Sequence, residues 1–137
     1  MRVIYRHMGN IGDRRHETAR QTGTIALKVP TYLKTMLTAQ FRSGQVEPIT
    51  INLGLSLCHK DDMFNKRVGR ELAESRMSDV NFRLVSVDTS EPDHINYFLT
   101  TTIGDAKLDL TFREYRDSMN IRLVDASTFS QRLWDSW

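Results

Sequence analysis

Four of the five residues 58–62, Cys58, His59, Asp61 and Asp62, carry groups that can attack, shuttle a proton or hold a metal. A thiol beside a histidine becomes a thiolate nucleophile once the imidazole takes its proton. A closed zinc site needs paired Cys or His ligands at set spacings. The spacing here supports neither. Cys58 is the only cysteine, and His7, His16 and His94 form no ligand pattern with His59. Cys58 and His59 are adjacent, so on a strand they point to opposite faces. The simpler reading makes Cys58 a small residue at a strand end and Asp61 or Asp62 the cap of the following helix. A small enzyme or metalloprotein centred on Cys58, His59 and Asp62 stands as the third functional reading. No G-x-S-x-G elbow or P-loop occurs, and no cofactor or metal is expected.

The helix after this cluster is expected over 62–77. Phe64, Val68 and Leu72, with Ser75, share one face that should pack on a sheet. Lys66, Arg70 and Ala73 lie on another, flanked by Arg67, Glu71 and Glu74, and Gly69 permits close approach. Lys66, Arg67 and Arg70 can neutralise phosphates or hold carboxylates, although Glu71 and Glu74 offer local ion pairs instead. Upstream, Arg14, Arg15 and Arg20 read as a basic arm within residues 6–23, a stretch rich in Gly and charge without periodicity. Both tryptophans lie in the last four residues. Trp134 is expected to cover a core edge and Trp137 to act as an apolar anchor. The expected nucleic-acid or partner-binding set is therefore Arg14, Arg15, Arg20, Lys66, Arg67, Arg70 and Trp137.

These residues need a scaffold. Residues 2–5 and 24–29 read as strands, and Pro30 suits a first helical turn. In the helix expected at 31–44, Leu33, Met36, Leu37 and Phe41 form the buried face and Gly44 the stop. "ITINLGLSL", residues 49–57, alternates strictly, which buries one face and leaves Thr50, Asn52, Gly54 and Ser56 on the other. Strands at 80–88, 94–103, 107–115 and 119–125 make a meander, with a bulge where the phase slips at Leu84–Val85 and a tight turn at Gly104-Asp105. The remainder, from Ser127, is a short helix or extended tail. The expected class is α+β: a largely antiparallel sheet with two helices packed on one face, all in a single domain over 1–137. The edges of such a meander invite a second copy, a homo-oligomer.

The 137 residues suit one core. No apolar run approaches the ~20 residues of a membrane span, and "MRVIYRHMGN" has no apolar signal region. With one cysteine, this points to the cytoplasm and to no membrane partner. Charge is split: residues 1–42 hold eight basic and two acidic side chains, net +6, and the other 95 hold eleven and fifteen, net −4. Such asymmetry steers anionic partners to one side.

Two resemblances bear on function. "IALKVPTYLKTML" is superficially similar to the strand and first helix of a ribbon-helix-helix repressor, but the next element is strand 49–57, which excludes it. The segment C-x3-D-x-F-x-K-x2-G-R-x2-A-x2-R, carried by Cys58, Asp62, Phe64, Lys66, Gly69, Arg70, Ala73 and Arg76, resembles one in small uncharacterised bacteriophage proteins. That resemblance implies a phage protein working in the host cytoplasm. The leading expectation is a non-enzymatic protein that binds and modulates a host protein or nucleic-acid machinery. Direct DNA or RNA binding through the arm and helix 62–77 is the second.

Overall fold

A computed structural model describes residues 3–9, 21–57, 65–104, 106–118 and 120–130. Seven strands follow one another in space as in sequence, every neighbour antiparallel. They are β1 (Val3–Gly9), β2 (Gln21–Lys28), β3 (Ile49–Leu57), β4 (Ser78–Asp88), β5 (His94–Ile103), β6 (Ala106–Tyr115) and β7 (Ile121–Ser130). Helix α1 (Leu33–Ser43) joins β2 to β3, and α2 (Lys66–Ser75) joins β3 to β4.

Several strands outrun their expected bounds. β1 continues to Gly9 and β2 begins at Gln21, so the stretch expected as an arm over 6–23 is strand at both ends. The alternation Ile4, Arg6, Met8 explains why: Ile4 and Met8 belong to the core while Tyr5 and His7 face out. β7 extends through Ser130, taking residues expected to be helix or tail.

The sheet bends at β4. Residues Ser78–Phe82 pair with β3, and Arg83 onward pairs with β5, so β4 passes from one half-sheet to the other. The bulge expected at Leu84–Val85 is present: Leu84 pairs with Leu99, Ser86 with Phe98, and Val85 is left over, 58% exposed. Bulges bend a strand and increase its twist. A second register shift leaves Val124 unpaired on β7. The curled sheet brings β1 against β7, and Arg6 donates through Nη2 to the Val124 carbonyl across the seam. The open edges expected of a meander thus lie against each other in a nearly closed barrel, though among the described residues no backbone ladder joins them.

The concave face holds the core: Ile25, Leu27, Ile49, Ile51, Leu53, Phe82, Leu99, Leu108, Leu110 and Phe112 are all buried. Leu33 and Leu37 of α1 join that cluster, each contributing about 2 kcal/mol of burial. Phe41, expected on the buried face, is exposed; Gln40 takes the inward position. Gly44 ends α1 at φ 72°, its N–H donating to Gln40 O at 2.9 Å, as the stop signal predicts.

The two helices do not share a face. α1 sits with the core, whereas α2 lies over β2 and β3 on the opposite, convex side. The reason is a patch of small residues. Ala26 pairs with Gly54 and Thr24 with Ser56, and all four are buried. The alternation of β3 marks Gly54 and Ser56 as solvent-facing, but a helix covers them.

Candidate functional site

Helix α2 starts later than expected. Asn65, not Asp61 or Asp62, is its cap: the Asn65 Oδ1 accepts from the N–H groups of Arg67 (3.0 Å) and Val68 (3.2 Å). That satisfies two otherwise unpaired amides at the helix start. The buried positions are Gly69 and Ala73. Contact is so close that a Cβ built on Gly54 would lie 1.8 Å from the Ala73 carbonyl oxygen. Helix backbone rests on strand backbone there, which only glycine allows.

This docking turns the expected buried face outward. Val68 is 48% and Leu72 41% exposed. The face carrying Ala73, expected to be solvated, is the one that packs. A large apolar residue at 69 or 73 would be needed to hold the helix by its own side chains. Instead, the small surface of β2 and β3 accepts the helix and leaves Val68 and Leu72 at its margin.

Lys66, Arg67 and Arg70 are all exposed, as expected, but their surroundings differ. Arg67 Nε meets Glu71 Oε1 at 3.2 Å, an i,i+4 ion pair on the solvent side. Such a pair is worth ~0.5 kcal/mol or less. Among the described residues no ion pair involves Lys66 or Arg70. Both act on β1: burial first, then the charges of Lys66 and Arg70, lower the pKa of His7, whose Nδ1 is 2.9 Å from Thr24 Oγ1. His7 is therefore held toward its neutral form. Tyr5 donates to Glu74 Oε2 at 2.7 Å, and that carboxylate, with a smaller contribution from burial, raises the phenol's pKa against the lowering effect of Arg70. Tyr5 and His7 were not anticipated at this surface. Extending the alternation of "VIYRHM" would have placed them on the convex side.

Arg14, Arg15, Arg20 and Trp137 lie outside the described residues, as do Cys58, His59, Asp61, Asp62, Phe64 and Trp134. The antiparallel order fixes where their segments attach. Gly9, Gln21, Leu57, Ser78 and Ser130 are all strand termini at one end of the sheet. α1 attaches at the opposite end, between the end of β2 and the start of β3. Among the described residues, no group of three or more His, Cys, Asp or Glu side chains is placed to hold a metal ion. No described helix is long and apolar enough to cross a membrane. No protein-family model, no curated protein and no solved structure matches this chain.

Proposed function

We propose a non-enzymatic binding protein that uses the outer surface of α2 to engage a partner protein. One observation carries this reading: the buried positions of α2 are Gly69 and Ala73, so Val68 and Leu72 stay half-exposed beside Lys66, Arg67 and Arg70. A surface mixing apolar side chains with arginine is the composition enriched in protein interfaces. The signs along α2 also favour protein over nucleic acid. Glu71 occupies Arg67, and Glu74 receives Tyr5, so the helix offers no uninterrupted cationic row. The phage and host-directed part of the proposal is carried by the Cys58–Arg76 segment.

The test is affinity capture from lysate with the wild type and with a Lys66→Glu, Arg70→Glu, Leu72→Asp variant. The expected result is a partner recovered by the wild type and lost by the variant, in the presence of nuclease. Well-folded wild type that recovers nothing specific would overturn the reading. Direct nucleic-acid binding rests on the free cations of Lys66 and Arg70. It predicts a gel shift that weakens steeply with salt and vanishes in the same variant. No shift at low salt would remove that alternative.

A further inference from the structure

A second site lies away from α2, where β4 leaves β3 for β5. The change of partner opens a cleft of about 520 Å³ between the β3 approach and the middle of sheet β4–β6. Side-chain parity determines what lines it. Arg83 stands directly opposite Thr100, and Thr102 directly opposite Lys107, all on the convex face of three adjacent strands. Opposite and diagonal neighbours on one face lie within reach of long side chains. Arg83 and Lys107 therefore approach from either side the two hydroxyl-bearing residues between them.

The donors are partly unspent. Among the described residues Arg83 makes no ion pair, and Lys107 has only a 3.8 Å contact to Asp109. Asn81, also in the lining, accepts from Thr50 through Oδ1 at 2.7 Å. Val46 and Pro48 supply an apolar wall, both exposed. Glu47, also in the lining, offsets one of the two cations. Thr100 Oγ1 donates to Asp109 Oδ1 at 2.6 Å and Thr101 Oγ1 to the Asn81 carbonyl at 2.7 Å, so Thr102 is the hydroxyl left to a ligand. Two forked or flexible cations beside that hydroxyl suit an oxyanion. Asp109, beside Lys107, offsets the other cation, so the surroundings are close to neutral and suit a single anionic group better than a polyphosphate. The wall suits a compact apolar body, in the usual pattern of small-ligand sites.

We propose that this cleft binds a small molecule with one oxyanion, carboxylate or phosphate, on an apolar body. Backbone amide spectra of the full chain, titrated separately with phenyl phosphate, benzoate and neutral benzyl alcohol, test it. Saturable shifts centred on Asn81–Arg83, Thr100–Thr102 and Lys107 with either anion support the proposal, and their relative affinities tell phosphate from carboxylate. Arg83→Ala and Lys107→Ala should each weaken binding about tenfold, the worth of one charge-assisted hydrogen bond. Both residues are exposed, so the variants should keep the wild-type spectrum elsewhere. The Lys66→Glu, Arg70→Glu variant should bind the anions as the wild type does. No saturation with either anion would overturn the proposal. So would equal binding of benzyl alcohol, shifts centred on α2, or full affinity in Arg83→Ala.

Discussion

Helices α1 and α2 are held by opposite means. α1 is seated by side chains: Leu33 and Leu37 enter the core, and Lys34 bonds Glu114 Oε1 at 3.3 Å. α2 is seated mainly by small residues: Gly69 and Ala73 are its buried positions, and the Ala73 carbonyl lies directly over Gly54. A helix with large inward residues reveals its buried face through apolar periodicity. A helix with small inward residues does not, and its large apolar residues then mark the margin of the contact. The same contrast separates scaffold from surface. α1 uses its apolar residues for stability, while α2 leaves Val68 and Leu72 half-exposed.

The contrast is broken most severely at Gly54. In Gly54→Val the new Cβ would meet the Ala73 carbonyl oxygen at 1.8 Å, and Met77 N would lie 2.8 Å away. Both obstacles are backbone, so α2 must lift off. The expected loss is on the order of 4 kcal/mol, above ordinary overpacking because no rotamer relieves it. Chemical denaturation measures it. A loss below about 1 kcal/mol would mean that α2 is not seated on the strand backbone.

The next comparison sets one leucine from each helix against the other. Leu37→Ala should cost about 3 kcal/mol through lost burial and a residual cavity. Leu72→Ala should cost less than about 1 kcal/mol, because its side chain remains substantially in water in the folded state. Equal losses would erase the distinction between the two helices. A smaller effect, about 2 kcal/mol, is expected for Arg6→Met, which leaves the bulge carbonyl of Val124 without its donor at the seam. Hydrogen exchange should rise first along β1 and β7 in that variant, since those strands meet there without a ladder.

Local chemistry was readable where it depended on neighbours in sequence. The alternation from Ile49 to Leu57, the phase slip at Val85 and the stop at Gly44 all involve residues within a few positions of one another, and each element formed. Helix α2 was harder. Gly54 and Ser56 read as a wetted face because alternation alone cannot say whether water or a helix lies above them. The cap moved to Asn65 because several polar residues before the helix compete for one geometry. Arg83, Thr100, Thr102 and Lys107 come from three strands, and only the register of the folded sheet aligns them. Arg6 looked like part of a basic arm because its partner, Val124, is 118 residues away.

The smallest effect tests α1 through ionisation. Tyr97 is buried and donates to Glu114 Oε2 at 2.8 Å, beneath the Lys34 ammonium that also meets Glu114. Burial first, then the Glu114 hydrogen bond, push the Tyr97 pKa to about 12, while a bond from Thr38 of α1 works in the opposite direction. The folded state therefore disfavours the phenolate relative to the unfolded chain, whose phenol has the ordinary value of 10.0. Stability from this group is complete below pH ~10 and declines as pH rises toward ~12, because only the unfolded chain then readily loses the proton. Tyr97→Phe should cost about 1 kcal/mol near neutrality, the net worth of one hydrogen bond. It should also flatten the decline in stability between pH 10 and 12 that denaturation midpoints record in the wild type. The corresponding Tyr5→Phe variant, altering a phenol at the margin of α2, should flatten that alkaline slope less, since Tyr5 is more open to water. An unaltered slope in Tyr97→Phe would remove the Tyr97–Glu114–Lys34 cluster from the forces that hold α1 to the barrel.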